Sequence, residues 1–301
     1  MINTLESNTI HNILKWSIAT LKKSNIEFPG INADTLLAYV LSCDRTKLYT
    51  NPDEVISDAD INIYKELINE RARHVPLQYI THREEFMSLD FFVDESVLIP
   101  RPETEILVET VLNKARDEQY SDNKITIMDI GTGSGNIAIS LAKNLSNTEI
   151  YASDISQEAL EIAKTNAQRH DVADKIHLLH GDLFSAFSSH IDKGNTDFIV
   201  SNPPYVSESE WKSLEPELRD HEPRDALVAG KDGLYFYRQI IKDAADWLKP
   251  EGCLVIEIGE TQANTIIKLM ESEGHYEDIE ITNDLQGKER VISARRKQQR
   301  V

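Results

Sequence analysis

A short run of residues has the composition of a site that holds a planar NH2 group, on either an amide or a nucleobase. Asn202, Pro203, Pro204 and Tyr205 follow an apolar segment at 197–201. An amide or exocyclic amine nitrogen is a poor nucleophile, and two carbonyl acceptors can hold its hydrogens and stabilise the charge that grows on it. The side-chain oxygen of Asn202 and the backbone oxygen of Pro203 provide that pair, so both are predicted to be catalytic. Pro204 stiffens the turn and Tyr205 offers a flat face, so all four residues are predicted to bind substrate.

A glycine-rich loop precedes this run in the chain. Its residues are Gly131, Thr132, Gly133, Ser134 and Gly135. The loop follows a predicted strand and opens a predicted helix, and its glycines let a ligand lie against the backbone. Asp154 ends the next predicted strand, where a carboxylate can accept both hydroxyls of a ribose. Together these features predict a site for a nucleoside-containing cofactor.

The spacing of the loop favours S-adenosyl-L-methionine, with a nicotinamide dinucleotide as the weaker alternative. The pattern is G-x-G-x-G, whereas G-x-G-x-x-G seats a pyrophosphate at a helix N-terminus. Asp129 just before the loop would repel a pyrophosphate and suits a cationic sulfonium ligand. After the third strand, Asp182 is predicted to accept from the adenine amino group and Leu183 to pack on the ring. Asn202 is expected to border the cofactor as well, and the predicted reaction is methyl transfer to a planar NH2.

Alternating strands and helices are expected to position these residues. Predicted strands span 125–130, 149–153, 176–180, 197–201 and 253–258, and predicted helices span 136–145, 157–169 and 234–248. Two further strands, around 276–281 and 290–294, fit an edge hairpin. Repeated strand–helix–strand units imply the α/β class, with a mostly parallel sheet and helices on both faces. The carboxyl ends of its strands border one crevice, which would bring the glycine-rich loop and Asn202 together.

The first third of the chain is predicted to be a small helical bundle. Apolar residues recur at helical spacing from Ile10 to Leu21 and from Ala33 to Leu41, and Ser57 opens a third helix. Residues 76–105 have short extended character, which indicates a β-hairpin linker. The predicted domains are therefore residues 1–75, the linker 76–105, and an α/β domain at 106–301. The basic residues Arg295, Arg296, Lys297 and Arg300 are predicted to form a solvated tail.

The composition excludes several classes of protein. Of 301 residues, 40% are hydrophobic and 28% charged, which is typical of a globular protein. The net charge of −19 argues against a large phosphate-binding face, so no nucleic-acid partner is predicted. Two cysteines exclude a disulfide framework, and the nine histidines form no ligand-spaced cluster, so no metal site is predicted. No segment has the apolar length of a membrane span or the pattern of a signal peptide, so the protein is predicted to be cytoplasmic, without a membrane partner.

Taken together, the motifs resemble those of the release factor glutamine methyltransferases, the PrmC/HemK family. The segments that carry the resemblance are Pro76 to Ile80, Leu98 to Glu105, Asp129 to Gly135, Asn202 to Tyr205, Glu222 to Leu227 and Asp232 to Leu234. Their order and spacing cover nearly the whole chain, and the run from Arg101 to Glu105 is highly specific. The chain departs from the family at Thr81-His82, where Leu-Gly is frequent, and is a few residues longer between Phe184 and Asp197.

This resemblance implies a Rossmann-like class I methyltransferase domain with a seven-stranded sheet, and an N-terminal bundle that recognises the release factor. The implied reaction methylates the side-chain amide nitrogen of the glutamine in the Gly-Gly-Gln motif of class I peptide chain release factors. The cofactor would leave as S-adenosyl-L-homocysteine. Asn202 and Pro203 would hold the amide, and Pro204 and Tyr205 would complete its slot. Arg101 and Glu105 would border the pocket without an assigned role, and a monomer is expected.

Two other functions remain open at this point. An exocyclic-amine DNA methyltransferase shares the Asn-Pro-Pro-Tyr device, but it needs a basic channel and a target-recognition domain to flip a base. The charge of −19 and the lack of a second large domain disfavour it. A non-catalytic S-adenosyl-L-methionine-binding or ribosome-associated module is disfavoured because the loop and the Asn202 turn are both intact.

Overall fold

The computed structural model describes residues 8–116 and 124–298, which form two compact units. Among these residues, the first unit contains 8–82 together with Glu215–His221, and the second contains 83–116, 124–214 and 222–298. The helices are α1 (Ile10–Lys23), α2 (Pro29–Val40), α3 (Arg45–Thr50), α4 (Asp58–Arg71), α5 (Leu77–Thr81), α6 (Glu105–Lys114), α7 (Asn136–Asn144), α8 (Gln157–Arg169), α9 (Glu208–Trp211), α10 (Pro216–His221), α11 (Tyr235–Trp247) and α12 (Ala263–Glu273). The strands are β1 (Glu84–Phe86), β2 (Leu89–Phe91), β3 (Ile125–Ile130), β4 (Thr148–Asp154), β5 (Ile176–His180), β6 (Thr196–Ser201), β7 (Leu248–Glu257), β8 (Tyr276–Asn283) and β9 (Glu289–Arg296). Among these helices, none has both the length and the apolar character that crossing a bilayer requires.

The core of the first unit lies between α1, α2 and α4. Most of the apolar residues that face this core are buried, as the helical spacing of the sequence predicts. The Tyr64 hydroxyl on α4 lies 2.9 Å from the carbonyl oxygen of Ala33 on α2 and 2.8 Å from Oγ of Ser17 on α1. One buried phenol thus joins three helices. Ser57 opens α4 as predicted, because its Oγ accepts from the Asp60 N–H at 3.2 Å.

A buried arginine ties α10 to the rest of the first unit. Nε of Arg71 donates to Oδ1 of Asn32 at 2.6 Å, and its Nη1 donates to the carbonyl oxygen of Val75 at 3.0 Å. Its Nη2 pairs with the carboxylate of Glu217 on α10. The Arg71 side chain is only 5% exposed, so its charge needs these partners. The segment 215–221 therefore belongs with α1–α5 although it lies far along the chain.

Strands β1 and β2 form the hairpin predicted within residues 76–105. Met87 and Ser88 at its turn have φ values of 51° and 60°. This left-handed pair is what a two-residue turn needs to follow the twist of its strands. Oε1 of Glu105, at the start of α6, accepts from the Met87 N–H at 2.6 Å. Glu105 therefore has a structural task, because it fastens the turn to the helix.

The second unit is built on a seven-stranded sheet with the strand order β5-β4-β3-β6-β7-β9-β8. The first five of these strands run parallel, while β9 is antiparallel to both β7 and β8. All six residues of β6 are buried, as expected of a strand covered on both faces. The order reverses beside β3, with β4 and β5 on one side and β6 and β7 on the other. The loops that follow β3 and β6 diverge there and leave a crevice at the carboxyl ends.

The predicted parallel sheet and its terminal hairpin are confirmed, with two differences. Strand β7 begins at Leu248 instead of residue 253, because Leu248 already pairs with Thr196 before an irregularity in the register. The expectation of a solvated tail is wrong for Arg295 and Arg296, which lie in β9. Arg295 pairs with Asp278 of β8, and Arg296 donates to the carbonyl oxygen of Leu248. Arg300 lies outside the described residues.

Candidate active site

A cavity of about 560 Å³ opens at the carboxyl ends of β3, β4 and β6 in the second unit. Most of the residues that the sequence predicts for the site line it. They are Gly131, Thr132, Gly133, Ser134, Asp154, Asp182, Leu183, Asn202, Pro203 and Pro204. Gly135 and Tyr205 are not among the residues that line this cavity. The fold thus brings the glycine-rich loop and the Asn202 turn to one space, as the sheet topology requires.

The glycine-rich loop is fastened to β4 through its backbone. The N–H groups of Gly131 and Thr132 both donate to the carbonyl oxygen of Ser153, at 2.9 and 2.8 Å. Gly131 has a φ of 72°, and a Cβ built on it meets nothing within 4 Å. The space over this glycine is therefore part of the cavity, where a ligand can lie directly against the backbone.

Gly135 has a packing role instead. It caps the N-terminus of α7 with a φ of 82°. A Cβ at this position would lie 2.9 Å from Cδ1 of Ile139 and 3.2 Å from Cβ of Ala163 on α8. These separations are shorter than ordinary van der Waals contact. The third glycine of the loop thus permits α7 and α8 to approach each other, and its predicted contact with the cofactor has no support from its position.

Asp129, the penultimate residue of β3, is completely buried beneath the loop. Its Oδ2 accepts from the Thr132 hydroxyl at 2.7 Å, while its Oδ1 has no hydrogen-bond partner among the described residues. Burial raises the pKa of this carboxyl to about 7, and the nearby Asp154 acts in the same direction. Asp129 therefore supports the loop from below, and its charge depends on pH.

Asp154 stands at the end of β4 and lines the cavity. Its Oδ2 accepts from the Gly133 N–H and its Oδ1 from the Ser156 N–H, both at 2.9 Å. Burial raises its pKa, and these backbone hydrogen bonds oppose that shift. The carboxylate keeps acceptor capacity beyond these two bonds, because each oxygen has two lone pairs.

The turn after β5 brings Asp182 and Leu183 to the cavity. Gly181 is required there, because a Cβ would lie 2.9 Å from Cβ of Ala186. Leu183 has a φ of 45°, which is strained for a branched side chain. The Leu183 side chain is half-buried and Asp182 is exposed, so an apolar surface and a carboxylate stand side by side.

The side chain of Asn202 is held in one orientation. Its Nδ2 donates to Oγ1 of Thr104 at 3.1 Å, and that hydroxyl donates to Oε2 of Glu257 at 2.6 Å. The preceding Ser201 donates from Oγ to the carbonyl oxygen of Ile130 at 2.8 Å, which joins the ends of β6 and β3. Asn202 lines the cavity while its nitrogen is engaged by Thr104, so its Oδ1 is the side-chain atom left to accept from a ligand.

Tyr205 supports the turn from behind. Its carbonyl oxygen accepts from Nε2 of Gln262 at 3.1 Å, and a Cβ on Gly233 would collide with the same oxygen. Burial raises the pKa of the Tyr205 phenol to about 12, so it stays protonated. Its predicted place in the substrate slot rests on the sequence motif alone.

Three residues of the site were not assigned a role by sequence reasoning. Arg101 lines the cavity and pairs with Glu222, whose Oε2 also accepts from the Ile99 N–H at 3.4 Å. Thr104 and Glu257 hold Asn202. Arg101 and Thr104 lie in the specific run from Arg101 to Glu105, which was a usable signal. Glu257 ends an apolar strand and carries no local pattern.

The residues present fit a nucleoside cofactor such as S-adenosyl-L-methionine. The open space over Gly131 admits a ligand, and Asp154 and Asp182 offer carboxylates to ribose hydroxyls and an adenine amine. Leu183 offers an apolar surface to the ring. Within residues 8–116 and 124–298 there is no group of three or more His, Cys, Asp or Glu that could hold a metal ion.

Two family models match the chain. The PrmC N-terminal domain matches residues 12–81, and the methyltransferase small domain matches residues 102–216. Among solved structures, a methyltransferase from Pyrococcus furiosus is similar in fold, with a TM-score of 0.52 at 19% identity. That similarity covers 76% of this chain and 99% of the other, and it shows the class I methyltransferase fold.

Curated relatives are similar along almost their whole length. The release factor glutamine methyltransferase of Clostridium acetobutylicum is 40% identical, over 92% of this chain and 94% of the relative. The protein of the same name from Rhodopirellula baltica is 37% identical, over 95% of each chain. Since these relatives, both family models and the fold agree, the chain belongs to the family of the release factor glutamine methyltransferases.

Proposed function

We propose that this protein methylates the side-chain amide nitrogen of the glutamine in the Gly-Gly-Gln motif of class I peptide chain release factors. The methyl donor would be S-adenosyl-L-methionine, which becomes S-adenosyl-L-homocysteine. The single observation that carries the proposal is the position and hydrogen bonding of Asn202. Its side chain lines the cavity beside the glycine-rich loop, and its Nδ2 already donates to Thr104. An acceptor oxygen on a rigid turn is what a primary amide needs.

The donor site would be formed by the loop and the ends of three strands. Bound S-adenosyl-L-methionine supplies an electrophilic methyl group on a sulfonium. The backbone at Gly131, Thr132, Gly133 and Ser134 would lie against it, with Asn202 at its border. Asp154 would accept from the ribose, while Asp182 and Leu183 would hold the adenine. Gly135 would contribute through the packing of α7 on α8.

The acceptor amide would be held by two oxygens of this chain. Oδ1 of Asn202 and the carbonyl oxygen of Pro203 would accept the two hydrogens of the NH2 group, which aims the nitrogen lone pair at the methyl group. The same oxygens would stabilise the positive charge that develops on the nitrogen. Pro204 and Tyr205 would complete the slot and keep the turn rigid. A general base is not required, because the charged product nitrogen is strongly acidic and loses its proton to water.

The partner would be a whole release factor. The match of residues 12–81 to the PrmC N-terminal domain supports a recognition role for the helices of the first unit. The chain carries a net charge of −19, which suits a basic protein surface and disfavours DNA or RNA as partners. We propose that the enzyme acts as a monomer in the cytoplasm, where translation termination takes place.

Transfer of labelled methyl from S-adenosyl-L-methionine to purified release factor tests the proposal. We expect label on the wild-type release factor and none on a variant with Gln→Ala in its Gly-Gly-Gln loop. In the enzyme, Asn202→Ala should lower kcat about 100- to 1,000-fold, because one of the two oriented oxygens is lost. Equal label on both release factors would contradict the acceptor assignment, and label on duplex DNA instead would favour a base amine.

A further inference from the structure

Three side chains from distant parts of the second unit form a continuous hydrogen-bonded chain. Asn202 follows β6, Thr104 precedes α6, and Glu257 ends β7. The distances are 3.1 Å from Asn202 Nδ2 to Thr104 Oγ1 and 2.6 Å from Thr104 Oγ1 to Glu257 Oε2. Thr104 and Glu257 are each 1% exposed, so water does not compete for these bonds.

Proton counting fixes the direction of this chain. The Asn202 nitrogen can only donate, so Oγ1 of Thr104 must accept from it. A threonine hydroxyl has one hydrogen, and Thr104 must therefore donate that hydrogen to Glu257. An ionised carboxylate has no hydrogen to donate, so Glu257 can only accept the hydrogen of the Thr104 hydroxyl. With Glu257 ionised, the amide of Asn202 has one favoured orientation, with its nitrogen toward Thr104 and its oxygen away from it.

The opposite orientation would be harmful for the reaction. An asparagine amide keeps its shape when rotated by half a turn, and only the places of oxygen and nitrogen are exchanged. With the nitrogen toward the cavity, Asn202 would present hydrogens to the hydrogens of the substrate amide. It would then repel the group that it should hold.

We propose that Thr104 and Glu257 are positioning residues, which fix the Asn202 amide so that its oxygen faces the substrate NH2. This inference rests on the proposed function of Asn202 and adds two residues that act through it. Neither Thr104 nor Glu257 needs to touch the reacting atoms.

The surroundings of Glu257 add a dependence on pH. Burial raises the pKa of its carboxyl to about 7, against the lowering effect of the bond from Thr104. The other charged and titratable groups that act on it are Arg290 of β9, Arg101 and Glu103 before α6, Tyr205 after β6 and Tyr237 of α11. A protonated Glu257 carboxyl can donate to Oγ1 of Thr104. The Thr104 hydroxyl can then donate to the oxygen of the Asn202 amide, which permits the opposite orientation of that amide. We therefore expect kcat to fall as pH drops below about 7.

A set of conservative variants tests the inference. Thr104→Val keeps the shape and removes the hydroxyl, and should lower kcat about 10- to 100-fold, as small losses of alignment do. Thr104→Ser restores the hydroxyl and should return kcat to within a few-fold of wild type. Glu257→Gln no longer titrates, and its amide can face Thr104 with either atom, so kcat should be reduced and no longer fall at low pH.

Thr148→Val is the matched control. Thr148 is also buried, and its hydroxyl donates to the carbonyl oxygen of Ile125 at 3.1 Å, at the other end of the same sheet. Its loss should leave kcat unchanged. For all variants, the Kd of S-adenosyl-L-homocysteine measured by calorimetry should stay within about three-fold of wild type, because the positioning concerns the acceptor amide.

The outcomes separate this inference from the proposed function. Wild-type kcat in Thr104→Val, failure of Thr104→Ser to recover, or a parallel loss of cofactor binding would overturn the positioning role. A wild-type enzyme that does not label the glutamine would overturn the proposed function instead. The orientation of Asn202 is still measurable in that case, because its side-chain amide protons should exchange with water slowly in the wild type and faster in Thr104→Val. Equal exchange rates would refute the inference by themselves.

Discussion

At the scale of single residues, the carboxylate of Asp154 has two tasks. It holds the glycine-rich loop through the Gly133 N–H and the start of the next helix through the Ser156 N–H. It also lines the cavity, where it would accept from the ribose of the cofactor. A single side chain therefore shapes the site and, under the proposed function, would also bind the cofactor.

Asp154→Asn should affect both the hydrogen bonds to the loop and the hydrogen bonds to the cofactor, so we expect it to weaken cofactor binding. An amide has one acceptor oxygen and cannot accept from Gly133, Ser156 and a ribose together. The loss of a bond to a charged group corresponds to about a 10- to 100-fold increase in the Kd of S-adenosyl-L-homocysteine. Calorimetric titration measures it, with the exposed Asp192→Asn as control. An unchanged Kd would remove Asp154 from the cofactor site.

The sequence predicts residues whose chemistry is local. The loop, Asp154 and the Asn202 turn each combine a recognisable side chain with a strand end, and all of them reach the cavity. Thr104 and Glu257 were missed because their role exists only in three dimensions. Thr104 is 98 residues from Asn202 and 153 from Glu257. A threonine hydroxyl also has no preferred partner that a sequence pattern could reveal.

At the scale of elements, one glycine-rich motif contributes both to the cavity and to the contact between helices α7 and α8. Gly131 stands over open space, and Gly135 stands against α8. The first glycine serves the cavity, and the third serves the approach of two helices. The motif therefore predicts a loop that lines the cavity, but it does not show that its first and third glycines have different surroundings.

Alanine at Gly135 should mainly lower the free energy of unfolding, whereas alanine at Gly131 should mainly weaken ligand binding. Gly135→Ala meets Ile139 and Ala163 and should lower the free energy of unfolding by about 1 to 3 kcal/mol through overpacking. Gly131→Ala should lower the free energy of unfolding by only about 1 kcal/mol, through strain of the left-handed backbone. Its methyl group occupies cavity space, so it should weaken S-adenosyl-L-homocysteine binding more than Gly135→Ala does. Urea unfolding and calorimetry on both variants check this, and equal effects on binding would contradict it.

The central strands of the sheet were predicted more accurately than the short helices. The buried strands β3 and β6 consist largely of apolar and β-branched residues, and their bounds agree with the prediction within one residue. Helices α3 and α5 have six and five residues, too few for an apolar period to repeat, and they were not predicted. Tertiary contacts stabilise such short helices.

At the scale of the whole molecule, two buried carboxyls link the stability of the fold to pH. Burial raises the pKa of both Asp129 and Glu257 to about 7. In the unfolded chain these groups titrate near their ordinary values of 3.8 and 4.5. Between those values and about 7 the folded protein retains protons that the unfolded chain releases. The stabilisation is therefore complete at low pH and is lost as pH rises to about 7.

Asp129→Asn should reduce this dependence. Each such group contributes a slope of about 1.4 kcal/mol per pH unit within its window, and asparagine does not titrate. Urea unfolding of the wild type and the variant at pH values of about 5.5 and 6.5 measures the difference. We expect the free energy of unfolding to fall less in the variant over that interval, by about the same 1.4 kcal/mol. Identical slopes would contradict the raised pKa of Asp129, and Asp192→Asn serves as the exposed control.

The chain does not divide into units as simply as its sequence suggests. The sequence predicts a boundary at residue 75 and one uninterrupted domain from 106. The structure places Glu215–His221 in the first unit. No local pattern in the sequence could predict this, because the contacts involved join distant residues, such as Arg71 and Glu217, which are 146 residues apart.

The same pairing has a consequence for how the protein is made. The ribosome synthesises α1–α5 long before it adds Glu217. During that interval Arg71 has no Glu217 carboxylate to pair with. Burying that unpaired cation is unfavourable, so Arg71 should remain hydrated during most of synthesis. The earliest-translated helices would then be among the last to reach their final packing. A polypeptide that stops before residue 215 would leave the first unit lastingly incomplete.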